Sequence, residues 1–100
     1  MSDLRGPRVT IRSSWYGEQH RGRLTASGEK FNPDGFTCTC WDHDLGSILE
    51  VEHQGKRLFL RVNDRGPAPW TKRTLDITER AAKYLGFHEA GEADVIVRKL

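Results

Sequence analysis

Read alone, the chain points to a mainly-β domain, closed into a small barrel and carrying one short helix. Three features carry that expectation. Apolar residues recur at every second position in five or six short segments. One stretch, Thr78 to Gly86, has the spacing and end signals of a helix. The 100 residues suffice for a single core and leave no room for a second. Short strands must hide their edges somehow, and closure into a barrel does so.

Residues 1–8 hold Gly6 and Pro7 without apolar periodicity, so a flexible tail is expected ahead of a domain spanning residues 9–100. Val9, Thr10 and Ile11 alternate and, with Arg12 to Tyr16, read as a first strand that stops at Gly17. Gly17 to Gly35 is polar and turn-rich, and its nineteen residues exceed what a connector needs. Loops of that length in compact domains are either functional or disordered, and the aromatic anchors Trp15, Tyr16 and Phe31 favour function. Trp15, beside a strand end, is expected in the core.

Phe36 to Cys40 forms the next short strand candidate. Ser47 to His53 alternates, with Leu49 and Val51 inward and Glu50 and Glu52 outward, and Gln54-Gly55 turns the chain back as a hairpin. In the returning strand Leu58, Leu60 and Val62 share one face and Phe59 and Arg61 the other. Thr74 to Ile77 leads to the helix, which starts on the N-cap Thr78, places Glu79 near the positive end of its dipole, buries Ala81, Ala82 and Leu85, and ends at Gly86. Glu92 to Leu100 closes the domain, with Val95 and Val97 inward.

The segment Val62-Asn63-Asp64-Arg65-Gly66-Pro67 places an acid where an apolar strand gives way to a loop. Asp64 continues the inner face of the strand. Gly66 tolerates backbone angles other residues resist, and Pro67 has no N–H for a ladder, so pairing should stop there. A carboxylate on the inner side of a strand end is positioned by the scaffold yet reachable by ligand, which makes Asp64 a candidate catalytic acid. The plainer alternative is that Asp64 caps the turn through its own backbone.

The formal charge of +2, from 16 basic and 14 acidic residues, gathers into no long run of one sign. Arg5, Arg8, Arg12, Arg21 and Arg23 make the first quarter locally basic, but the mixture reads as a solvated surface and nucleic acid is not expected as a partner. No apolar run approaches the roughly 18 residues of a membrane helix, and Met1 to Val9 lacks the apolar core of a signal peptide. Cys38 and Cys40, too few for a disulfide scaffold, lie on one face of their strand. Three readings stay open for them: reduced thiols, a strained bridge, or a metal site with His43. The spacing Cys38-x-Cys40-x-x-His43 matches no usual zinc pattern, so no metal or cofactor is expected.

Four motifs in order carry a family resemblance: Ser14-Trp15-Tyr16-Gly17; Gly22-Arg23-Leu24-Thr25-Ala26-Ser27-Gly28-Glu29-Lys30-Phe31; Val62 to Pro67; and Leu75-Asp76-Ile77-Thr78 with Ala81-Ala82 and Leu85-Gly86. Over about residues 9–99 the chain resembles the rare lipoprotein A (RlpA) family. The resemblance implies a six-stranded double-psi β-barrel, as in the first domain of expansins and in barwin proteins. It implies peptidoglycan glycan strands as substrate and, in active members, lytic transglycosylase (lyase) chemistry; a monomer is expected. It also implies an extracytoplasmic location, in periplasm or cell wall, with a virion or secretion-system setting as the alternative.

In that chemistry an acid protonates the oxygen bridging MurNAc to GlcNAc, and the 6-hydroxyl of the same MurNAc closes a 1,6-anhydro ring. One carboxyl group can then serve as acid and base in turn, where hydrolases need a pair. Carried over by position, the family's acids fall on Asp64 and Glu29 as catalytic candidates. Asp76 and Thr25 are possible supporting residues. Tyr16, Phe31, Arg65 and Trp70 are substrate-binding candidates. The chain departs from the family at Thr37-Cys38-Thr39-Cys40, where active members read Thr-Ala-Ala-His. Cys40 stands at the position of the His and is expected to face the groove, with His43 the nearest imidazole in sequence. A non-catalytic, expansin-like wall-binding module is the alternative function.

Overall fold

The computed structural model describes residues 6–68, 70 and 74–100. Six strands close a barrel: β1 (Val9–Tyr16), β2 (Thr37–Thr39), β3 (Ile48–His53), β4 (Lys56–Asp64), β5 (Leu75–Thr78) and β6 (Glu92–Lys99), with one helix, α1 (Glu79–Leu85), between the last two. Around the barrel the order is β1-β5-β2-β4-β3-β6. The pairs β1/β5 and β2/β4 are parallel and the others antiparallel. No strand is left with an open edge.

The core follows the alternation. Leu49 and Val51 of β3, Leu60 and Val62 of β4, Leu75 and Ile77 of β5, and Val95 and Val97 of β6 are all buried, while Phe59 points outward. Leu58, nearer the strand start, packs against this core only in part. Gln54 and Gly55 both have positive φ, the two-residue turn that matches strand twist in a tight hairpin. Trp15 lies at the margin of the core, stacked on His88 at 4.3 Å and donating from Nε1 to the His88 carbonyl at 2.9 Å.

One expectation needs correction here. Glu50 is not outward in the sense of exposed; it is 4% accessible, because β3 lies between β4 and β6 and Glu50 sits opposite Phe59 on one side and Arg98 on the other. Ahead of β1, the Gly6 N–H donates to the Lys99 carbonyl at 2.8 Å. Residues 1–5 of the expected tail lie outside the described residues.

The helix starts and stops as its ends dictate. Thr78 accepts from the Ala81 N–H, Gly86 takes the left-handed conformation at φ +91°, and Ala81, Ala82 and Leu85 face the core. Thr78 does a second job: its hydroxyl donates to the Gly35 carbonyl at 2.7 Å, fastening the end of the long loop to the helix. Thr78→Ala removes cap and fastener together. A loss of about 1–2 kcal/mol is expected, read as a drop in melting temperature of about 4–8 °C per kcal/mol.

Candidate active-site groove

Three strands end at one place. Tyr16 is the last residue of β1, Thr39 of β2 and Asp64 of β4, and all three line a groove of about 260 Å³. What brings Thr39 there is a register shift: Cys38 pairs with Val62, but Thr39 pairs with Asp64, passing over Asn63. Such a bulge re-aims the side chains that follow it. On its other edge Thr39 lies opposite Asp76 of β5, which supplies a second carboxylate to the groove.

Asp64 is half-buried. Its Oδ1 accepts from the Ala26 N–H at 2.9 Å and the Arg65 N–H at 2.8 Å, while Oδ2 takes no part in those bonds. One oxygen of Asp64 thus caps the turn, and its carboxyl group lines the groove. Gly66 is required beside it. Its φ is +145°, and a Cβ there would stand 3.0 Å from Thr39 Cγ2.

Tyr16 stacks on Phe31 at 4.3 Å between ring centres and is hydrogen-bonded through its hydroxyl to Thr39 Oγ1. Burial pushes the Tyr16 phenol pKa up, so it stays a neutral donor and acceptor. Thr25 lines the groove with its hydroxyl donating to the Glu29 carbonyl at 2.9 Å, and Asp76 accepts from the Ser14 hydroxyl through Oδ1. Arg65 lines the groove too, but its Nη1 turns away to the carbonyls of Cys40, at 2.9 Å, and His43. Arg65 thus clamps the loop after β2 rather than opposing Asp64.

Other candidates lie elsewhere. Glu29 is exposed in a neighbouring depression with Asn63, its carboxylate gripped by both terminal nitrogens of Arg61, one of them at 2.8 Å. The Leu24–Lys30 bridge folds this part of the loop on itself, so Thr25 faces the groove and Glu29 does not. The Arg61 hydrogen bonds hold the Glu29 pKa below the ordinary glutamate range, with Ser27 adding to the effect. His43 is half-buried and outside the groove lining, and Trp70 is 84% exposed and also outside it.

Cys40 corrects an expectation. It is 2% accessible and packs in the core, as does Cys38, because the bulge gives the groove-facing place to Thr39. Both thiols are free, and burial raises the pKa of each. Conversely, His20, Arg23, Leu24 and Thr39 line the groove without having been singled out from sequence. The length of the loop was the available signal for the first three; it marks a segment, not the residues within it that turn inward.

This barrel, with its two parallel pairs and a carboxylate-bearing groove at converging strand ends, is a double-psi β-barrel of the kind shared by expansins and barwin-like proteins. Residues 8–97 match the profile of the lytic transglycolase family, and the chain belongs to that family. A curated relative, the endolytic peptidoglycan transglycosylase RlpA of Pseudomonas aeruginosa, is 39% identical over 99 residues. The alignment covers 97% of this chain but only 29% of that protein. Among solved structures, a Streptomyces papain inhibitor superposes with a TM-score of 0.74 at 18% identity, over 98% of this chain and 97% of that one. The apo expansin of Clavibacter michiganensis gives 0.74 at 17% identity, over 94% of this chain and 50% of that one. At these identities the likeness is one of fold.

Two outcomes test the site. Arg61→Ala should let the Glu29 carboxyl titrate higher, toward the ordinary glutamate range, as followed by NMR. A carboxyl whose folded pKa is depressed adds stability above its unfolded pKa and loses it as pH falls through the folded value, so any advantage of the parent over Arg61→Ala should be present at neutral pH and fade in acid. It should also be small and salt-sensitive, since the pair is exposed. Cys40→His must fit an imidazole into a packed core and should lower stability by roughly 1–3 kcal/mol, visible as a lower melting temperature.

Proposed function

We propose that this chain is a peptidoglycan lytic transglycosylase that cleaves between MurNAc and GlcNAc with a 1,6-anhydro product, working outside the cytoplasm. The observation that carries the reading is Asp64: a carboxyl group held at a strand end by two backbone N–H groups on Oδ1, facing a groove walled by stacked aromatics. Membership of the lytic transglycolase family supports the same chemistry.

In this mechanism the glycan lies along the Tyr16–Phe31 wall. The protonated Asp64 carboxyl gives its proton to the glycosidic oxygen as the C1–O bond of MurNAc breaks. The 6-hydroxyl then attacks C1, and the Asp64 carboxylate takes the hydroxyl proton, which returns the residue to its starting state. No water is positioned, so one acid suffices. Asp76, in the same groove, is suited to accept a sugar hydroxyl and orient the ring. Among the described residues no helix is long and apolar enough to cross a membrane.

A second reading, wall binding without cleavage, is favoured by one specific arrangement. Glu29 is held on Arg61 and Cys40 is buried, so neither stands beside Asp64 in the groove, and the barrel is shared with an expansin.

Digestion of purified sacculi followed by mass spectrometry separates the two. The lytic reading expects 1,6-anhydro muropeptides; intact sacculi with protein bound to them would support the binding module instead. Asp64→Asn keeps the shape but removes the ionisable proton, and should lower turnover about 100-fold or more while sacculus binding survives. Unchanged turnover in that variant would remove Asp64 from the mechanism.

A further inference from the structure

The groove holds an imidazole that is not His43 but His20, from the long loop after β1. His20 ends the short 3₁₀ turn Glu18–His20 and lines the groove together with Arg23, Tyr16, Phe31 and Asp64. Its ring is placed by three neighbours. It stands edge-on to Tyr16 at 5.8 Å and to Phe31 at 6.5 Å, and Arg23 Nη1 lies 2.8 Å from its Nδ1. The backbone repeats the link, with the Arg23 N–H donating to the His20 carbonyl at 3.1 Å.

A guanidinium can only donate. In this contact Nδ1 must therefore be the acceptor, which places the ring proton of the neutral imidazole on Nε2. The neighbouring Arg21 is committed elsewhere, to Glu18 at 2.6 and 2.8 Å and to Asp34 at 2.9 Å. The result is an oriented N–H donor in a groove also lined by the apolar side chains of Phe31 and Leu24 and by the acceptor carboxylates of Asp64 and Asp76.

An acetamido group matches that pairing, since its carbonyl oxygen accepts one hydrogen bond while its methyl group packs on an apolar surface. We propose that His20 is a substrate-positioning residue that donates from Nε2 to the N-acetyl carbonyl of the sugar in the groove. The assignment rests on the glycan-directed reading of the groove and adds to it the feature of the sugar that is recognised. Asp64 and Asp76 would then take the hydroxyl side of the ring and His20 the acetamido side, fixing which way round the sugar lies.

The test uses two substitutions that separate the ring nitrogens. The amide nitrogen of Gln reaches about as far as Nε2, whereas Asn keeps only a group near Nδ1, able to accept from Arg23. Binding to intact sacculi is measured in an Asp64→Asn background, so that turnover does not intervene, and on sacculi chemically N-deacetylated alongside native ones. Melting temperatures verify that each variant is folded. The proposal expects His20→Asn to bind native sacculi about tenfold more weakly than the Asp64→Asn parent, the fold-change of one hydrogen bond, and His20→Gln to retain most of the affinity. On N-deacetylated sacculi all three should bind alike. Equal binding of parent and His20→Asn to native sacculi overturns the proposal while leaving the glycan-directed function intact. So does a loss in His20→Asn that is the same on both substrates, because it marks a role in shaping the loop. An unsubstituted chain that binds neither substrate overturns the functional reading and this inference with it.

Discussion

The end of β4 is the point on which the rest of the molecule depends. Within four residues, Arg61, Asn63 and Asp64 take hold of the long loop between β1 and β2: Arg61 through the Glu29 carboxylate, Asn63 through its carbonyl to the Ser27 N–H at 3.1 Å, and Asp64 through the Ala26 N–H. The far end of that loop is fastened to the helix start, where the Arg80 N–H donates to the Pro33 carbonyl and Thr78 to Gly35. A segment with little regular structure of its own is thereby held at both ends by hydrogen bonds to rigid elements. Because one of those bonds is made by Asp64 itself, the acid is oriented by the loop that walls its groove.

This arrangement explains why the groove forms where it does. A barrel with parallel pairs must carry its chain across the ends, and here the crossings bring the last residues of β1, β2 and β4 together. The shifted pairing at Thr39 adds the detail that matters chemically, since it points a hydroxyl toward Tyr16 and sends the next side chain, Cys40, into the core. Arg65 supports the same geometry from behind by holding the carbonyls of Cys40 and His43. Residues whose types suggest chemistry, such as Arg65 and Glu29, are thus held in contacts of their own, to loop carbonyls and to Arg61.

The division of polarity across the groove follows from the same construction. Strand-borne Asp64, Asp76 and Tyr16 come from the barrel, while the long loop contributes His20, Arg23 and Phe31. The glycan proposed as substrate presents hydroxyls, amides and apolar ring faces, which donors, acceptors and aromatic surface in one groove would match. The barrel strands offer the carboxylates, the Tyr16 ring and the Thr39 hydroxyl; the docked loop adds Phe31, His20 and Arg23.

Much of this was legible in the chain itself. Period-two alternation located the strands, Thr78 and Gly86 marked the helix ends, the Gln54-Gly55 turn was evident, and Asp64 stood out as an acid where alternation stops. Each of these is a local property, set by the residue and its few neighbours along the backbone. The burial of Glu50, the inward turn of Cys40, the capture of Glu29 by Arg61 and the presence of His20 in the groove were not legible. Alternation tells which side of its own strand a residue occupies, but not what the adjacent strands place there, nor that a one-residue shift at Thr39 changes the side that follows. Those outcomes depend on pairings between residues far apart in sequence, such as Glu29 with Arg61 and Ala26 with Asp64, and such pairings exist only once the barrel has closed.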